Sequence, residues 1–411
     1  MNLLFAGIEF REEEAQISFL TPEMDEPETI SSIPGQEHYA IPLSVCRTAN
    51  GKYLYGHNAV TGKRERSAKF YDRILEKALR EKGTMFRQML LQYVKYLLLL
   101  GKNYAGEEKP VLDLTITVQE ITDETAALLL YIRDSLKIEP KHFRITDFQE
   151  SYFDYLYAKN RNLWKQDAVM YEFTGDKIQT MILSKKTKVV PKRGYVTTQN
   201  YHAEKSDLSD PAAKDAFFTK VLKASLNGRI ASCIYLIGPG FEGNWMVESL
   251  KAFGTNKRIF VGKNLYSKGA CLGAWRIAMG QNDAVVFESR YRIPVTVGVH
   301  VLSKQKQIFL PIAKAGTDWF NFEYKYELLY NGEQQLEVFK LNRTGDEVPV
   351  RTLALSGFPD CSEKARYIQL YTRALDQHRL YICIRDLGFG EIYKAHAKQW
   401  EFEIPLEEEK V

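Results

Sequence analysis

Apolar and polar positions alternate along this chain in two rhythms, and the places where the rhythm changes mark its elements. Leu4 to Gly7 is a short apolar run, and Gln16 to Leu20 answers it across the polar turn Arg11-Glu12-Glu13-Glu14, which predicts a β-hairpin at the start. Short β-like segments continue over 39–56. From about Ser67 the period becomes helical. Phe86, Met89, Leu90, Tyr93, Val94, Leu97 and Leu98 share one face, so 84–101 reads as a helix ending at Gly101. Leu112, Leu114, Ile116 and Val118 alternate as a strand does, and Thr122-Asp123 then caps a helix running to Leu136. A short strand near 143–145 and a helix over about 149–159 follow.

After Trp164 the pattern restarts. Strands over 168–173 and 178–184, joined at Thr174-Gly175-Asp176-Lys177, form a second hairpin. A polar loop is expected over 185–209, then a helix (about 211–226), a strand (233–237), a helix (244–253), a strand (258–261) and a helix (264–279). Strands alternating with helices imply an α/β domain whose main sheet contains parallel pairs, with hairpins at one edge. From Asp283 onward helical periodicity vanishes. Val295, Val297, Val299 and Val301 alternate, further strand-like runs are separated by Gly, Asn, Asp and Pro, and this last part reads as a β-sandwich. The boundary falls near 282–292.

Composition narrows the function classes. A chain of 411 residues suggests two or three domains. Its 56 basic and 52 acidic residues are interleaved, so no one-sided basic field points to nucleic acid. The five cysteines are far apart and form no metal-binding motif, which argues against a disulfide framework or a zinc site and suits a reducing cytoplasm. No apolar run approaches a bilayer span, and MNLLFAGIEF lacks the basic leader of a secretory signal. Only the acidic tail 407–410 is expected to be disordered. P-loop, nucleophile-elbow and zinc-protease motifs are missing from the sequence.

The order of elements carries a resemblance. The opening hairpin, the strand and helix ending in ITDFQESYFDYLYAK, the second hairpin from Asp167, and IYLIGPGFEGNWMVESLKAF with FVGKNLYSKGACLGAW resemble the actin and heat-shock-chaperone ATPase superfamily. LALSGFPDCSEKARYIQLYTRALDQHRLYICIRDLGFGE resembles the substrate domain of the seventy-kilodalton chaperones. The resemblance implies a two-lobed actin-like fold with ribonuclease-H-like halves over residues 1–285 (lobe I about 1–163, lobe II about 164–285), followed by a chaperone-like β-sandwich over 286–411.

In that superfamily two Gly-rich hairpin turns hold phosphates through bare backbone, and acidic residues hold Mg²⁺ through water. The resemblance aligns Glu9 and Asp167 with the acids of the two turns, making them Mg²⁺ and nucleotide candidates. It aligns Glu150 with the residue that positions the attacking water, and Gly238 and Gly240 with the adenosine turn. If activity survived, Glu150 and Asp167 would be catalytic and ATP or ADP with Mg²⁺ the cofactor. The sequence departs from this pattern at both turns. Glu12, Glu13 and Glu14 stand where phosphates would, and two like charges ~4 Å apart cost about 4 kcal/mol at an effective dielectric of ~20. Met170, Tyr171 and Glu172 replace glycines in the second. Glu150 also reads as a carboxylate favoured at a helix N-terminus, and Gly238-Pro239-Gly240 as a turn required by geometry. The span from Asp167 to Gly238 is too short for the superfamily's lid subdomain. The expectation is therefore a pseudo-ATPase without cofactor that binds a protein or peptide partner through its β-sandwich, with an active ATPase or a filament-forming protein as the competing readings.

Overall fold

The computed structural model describes residues 3–33, 35–81, 83–101, 103, 111–158, 164–189, 192–254, 257–280, 285–330, 334–342, 344–358, 366–389, 394–395 and 397–406. In chain order, β1 (Leu3–Phe10) returns as β2 (Glu14–Leu20), followed by β3 (Glu28–Thr29) and β4 (Ile41–Pro42). A small three-stranded sheet comes next, from β5 (Val45–Arg47), β6 (Tyr53–Tyr55) and, after helix α1 (His57–Gly62), β7 (Lys69–Tyr71). Then come α2 (Ile74–Arg80), α3 (Thr84–Leu100), β8 (Val111–Val118), α4 (Asp123–Leu136), β9 (Phe143–Asp147) and α5 (Phe148–Ala158). The second series is β10 (Asp167–Thr174), β11 (Lys177–Lys186), β12 (Lys192–His202), α6 (Pro211–Leu226), β13 (Ala231–Ile237), α7 (Glu248–Phe253), β14 (Arg258–Gly262) and α8 (Leu265–Ala278). The last is all strand: β15 (Val285–Phe287), β16 (Val297–Ser303), β17 (Lys306–Ala313), β18 (Glu323–Tyr330), β19 (Gln335–Leu341), β20 (Glu347–Ala354), β21 (Arg366–Asp376), β22 (Arg379–Gly388) and β23 (Gln399–Pro405).

The chain is mixed α/β and divides into two compact units, one of residues Met1–Lys185 and Val196–Asn282, the other of Lys186–Tyr195 and Asp283–Val411. In the first unit two sheets repeat one plan. Their orders are β3-β2-β1-β8-β9 and, from the other side, β12-β11-β10-β13-β14. In each, a central strand pairs antiparallel with its hairpin partner and parallel with a strand that arrives after helices, and a fifth strand adds in parallel. A helix leaves each fifth strand, α5 after β9 and α8 after β14.

These two helices cross over. α8 lies on the first sheet, so close that a methyl at Gly7 of β1 would collide with the Ser267 carbonyl. Tyr152 and Tyr155 of α5 reach across to Tyr235 of β13. Where α5 and α8 meet, a methyl at Gly269 would run into the Ser151 carbonyl, so glycine sets the closeness of the crossing. Asp154, fully buried on α5, accepts from Arg144 Nη1 at 3.3 Å and from Arg276 Nη2 of α8 at 2.7 Å, tying the crossing with charge.

The second unit is a sandwich of two antiparallel four-stranded sheets, β17-β16-β19-β20 and β18-β21-β22-β23. Alternating residues of both line one core, among them Val297, Val299, Val338, Leu353, Ile368, Leu370, Ile382 and Ile384.

Two expectations need correction. The expected polar loop over 185–209 contains β12, whose side chains are polar on both faces and so lack the alternation that marks a strand. The helix expected over 244–253 begins only at Glu248, after a 3-10 turn at Pro239–Phe241. Residues 407–410, expected to be disordered, lie outside the described residues. No described helix is long and apolar enough to cross a membrane.

Candidate functional site

Glu9 and Glu172 lie near the ends of the two central strands, each in an apolar-Glu-Phe triplet, Ile8-Glu9-Phe10 and Tyr171-Glu172-Phe173. Both carboxylates turn to one cation. Arg11, at the start of the first hairpin turn, donates from Nε to Glu9 Oε1 at 2.6 Å and from Nη1 to Glu172 Oε1 at 2.6 Å. Tyr266, in the first turn of α8, donates its hydroxyl to Glu172 Oε2 at 2.7 Å. Its ring stacks on Phe148 of α5 at 4.3 Å, and the guanidinium carbon sits 5.2 Å from the Phe148 centroid and 5.5 Å from that of Tyr266. Ion pairs and cation–π contacts thus converge on Arg11 from both sheets and both crossing helices.

The electrostatics follow from burial. The Glu9 side chain is 1% exposed and that of Arg11 28%. Burial pushes the Glu9 carboxyl above the usual carboxylate range, with Arg11 pulling the other way. Burial alone would weaken the hold of Arg11 on its proton, but Glu9 and Glu172 outweigh it and hold the guanidinium charged. Removing one charge from such a group strands the others, which is why buried ion sets act as units.

From outside, Arg73 holds the same turn, pairing with Glu13 and, at 2.9 Å, with Glu12. The turn closes on itself through Arg11 N to Glu14 O at 2.9 Å. The second hairpin turn is only Gly175-Asp176, with φ +60° at Gly175, where glycine is the natural occupant. Neither turn is a loop of bare backbone, and the acids between them already bind a cation. These residues do not fit a Mg²⁺-nucleotide: a polyphosphate would face Glu9, Glu12, Glu13 and Glu14, and Mg²⁺ would have to displace a guanidinium bonded to both carboxylates. Among the described residues no group of three or more His, Cys, Asp and Glu is placed to hold a metal.

The other sequence candidates have different surroundings. Asp167 begins β10, so Glu172 lies about 16 Å further along the strand. Asp167 accepts from Ser184 Oγ at 2.7 Å and pairs with Arg229 at 3.3 Å, and is not brought to Glu9. Glu150 lies in the first turn of α5, with Asp147 accepting its N–H at 2.8 Å, and pairs with Arg144 at 2.9 Å. Gly238 and Gly240 do come near, because their turn packs on Phe173, the neighbour of Glu172. A methyl at Gly238, where φ is +95°, would lie 2.5 Å from the Phe173 carbonyl, and one at Gly240 would strike the Phe173 ring. Phe241 and Trp245 stack on each other inside the core. The first N–H groups of α7 are taken within the protein. Asp215 of α6 accepts those of Val247, Glu248 and Ser249 at 2.9, 2.6 and 3.0 Å.

Sequence reasoning missed Arg11 and Glu172. The repeated triplet around Glu9 and Glu172 was the available signal, and Arg11 two residues past Glu9 on the same face of an extended chain was the other.

The sandwich holds a second candidate surface. On the outer side of its first sheet, Pro311, Gly298, Phe339 and Pro349 lie side by side in register. The next row holds Phe309 beside His300, whose ring lies 4.2 Å from Phe339 and pairs with Glu347. A methyl at Gly298 would strike the Phe309 ring, and Leu302 beyond is 80% exposed. The outer side of the other sheet mixes charge and apolar surface: the rows Glu323-Arg373-Tyr381-Glu403 and Glu327-Gln369-Arg385-Gln399 are mostly polar, while Leu329 and its register partner Tyr367, stacked on Phe389, are exposed.

Residues 26–290 match the family described as "Family of unknown function (DUF5716) C-terminal", and residues 292–406 match "Domain of unknown function (DUF8552)". No curated protein matches the chain. The first match covers well over half of the sequence, and the chain belongs to that family.

Proposed function

We propose that this chain is a degenerate relative of the actin and heat-shock-chaperone ATPases, a pseudo-ATPase whose nucleotide cleft has become a fixed brace, and that it works as a protein-binding scaffold. The observation that carries this reading is Arg11 bonded to Glu9 and Glu172 at once, a cation of the chain's own between the two acidic strand ends. The repeated strand order of the two sheets and the crossing of α5 and α8 support the two-lobed actin-like reading, since each half has the antiparallel-then-parallel plan of a ribonuclease-H-like sheet. The partner side of the reading is supported by the ring-bearing outer face of the β17-β16-β19-β20 sheet, where an extended peptide can lay alternate apolar side chains onto Phe309, Phe339 and Leu302.

The test is a binding titration of fluorescent peptides alternating apolar and small polar residues. Binding that Phe339→Glu weakens about tenfold, worth ~1.4 kcal/mol, and that Tyr371→Glu on the outer side of the other sheet leaves alone, supports the reading. Equal binding by both variants removes the sandwich face as the partner site.

A further inference from the structure

The two sheets of the first unit differ in the exposure of their fifth strands. β9 is covered, with Phe143, Ile145 and Thr146 at 2%, 1% and 0% exposure, under α4 and the turn Pro140–His142. β14 holds the same position in its sheet, and both are edge strands with a single sheet neighbour, β8 or β13, but Arg258 of β14 is exposed and Val261 is 68% exposed. Val261 sits in register with Leu236, whose side chain is buried on the α6–α7 side, so Val261 points to that side but beyond the helices. Val247 and Leu250, at the start of and within α7, are 56% and 48% exposed. An unpaired strand edge beside exposed apolar side chains is the geometry that strand addition uses.

Charge selects the occupant. Lys257 and Arg258 stand at one end of β14 and Lys263 just past the other. Lys263 has Glu242 at 3.5 Å, whereas Lys257 and Arg258 form no ion pair with a described residue. A second copy adding antiparallel to this edge would set Arg258 against the Gly262-Lys263 end, bringing like charges together, so the edge disfavours itself. A strand carrying carboxylates on either side of apolar residues meets attraction at both ends and Val261 between them.

We propose that the outer edge of β14 is a docking site for an extended strand of a partner protein in which acidic residues flank apolar ones. The added strand would lie about 4.8 Å from β14, pair with the main-chain groups of its unpaired edge, and lay one apolar side chain on Val261. The site is separate from the sandwich face and stands whether or not that face binds peptide.

The test is fluorescence anisotropy with a labelled synthetic peptide alternating Glu and Val, a version with Lys for Glu, and a version of the acidic peptide N-methylated at alternate residues. The expected result is binding of the acidic peptide alone, lost on N-methylation. Arg258→Glu should weaken it about tenfold and Val261→Asn severalfold, with Phe339→Glu unchanged. These are exposed positions, so thermal melts of the variants should match the parent. Equal binding of acidic and basic peptides overturns the proposal, as does indifference to N-methylation, which needs no variant to read. A concentration-dependent dimer abolished by Arg258→Glu would also overturn it, by giving the edge to a second copy.

Discussion

The sheets built on β1 and β10 have the same strand order and the same acid near the end of the central strand, yet their hairpin turns differ. The first carries Arg11 and three glutamates, and the second is a two-residue Gly-Asp turn. One turn supplies the cation that both acids use. The difference teaches that repetition of a frame does not preserve the chemistry at its centre: a single arginine turns two facing carboxylates, which would repel, into an ion set that joins the two sheets.

The largest expected effect breaks this join. Arg11→Ala should cost about 3–5 kcal/mol of unfolding free energy, because it leaves buried Glu9 facing Glu172 without a counter-charge. Urea unfolding measures it. Arg11→Met combined with Glu9→Gln and Glu172→Gln should recover most of the loss, and failure to recover would mean that Arg11 acts through its packing on Phe148 and Tyr266 instead. Gly269→Ala should cost about 3 kcal/mol, since its methyl meets backbone of α5, while Gly175→Ala, with open space around it but φ +60°, should cost about 1 kcal/mol. Similar losses at the two glycines would contradict the close helix crossing.

Asp215→Asn should cost about 2 kcal/mol and change the acid limb of stability. Burial would raise this carboxyl, but hydrogen bonds from the N–H groups of residues 247 to 249, with the Ser249 side chain beside it, outweigh burial and hold it below its ordinary 3.8. The stability it contributes is complete above that ordinary value and is lost as pH falls through the lower folded value. The Asn variant should lack this part of the acid unfolding curve. At the exposed outer side of the first turn, Glu13→Gln should leave the melting temperature at the parent value, because a solvated ion pair contributes little.

Much of the frame was legible in the sequence. The hairpins, α3 and α4 could be read because their apolar residues keep one period over the whole element. β12 could not, because Lys192, Thr197, Thr198, Gln199 and Asn200 give it no apolar face. The start of α7 is set by Asp215, more than thirty residues earlier, and local pattern carries no trace of such a cap. Glu9 was legible as one wall of the central site. Its true counterpart Glu172 was not chosen, because Asp167 offered the expected residue type at the strand's beginning, whereas the turn that faces Glu9 lies at the strand's other end. Arg11 read as one more charge in a polar turn, since its role depends on a carboxylate 161 positions away.

The central claim is that the cleft is occupied by the chain's own ion set, and isothermal titration of the intact protein with ATP and ADP in the presence of Mg²⁺ tests it most directly. The account predicts no binding heat. Binding tighter than about 100 µM, near −5.5 kcal/mol, would contradict it and make Arg11 a residue that yields to a ligand.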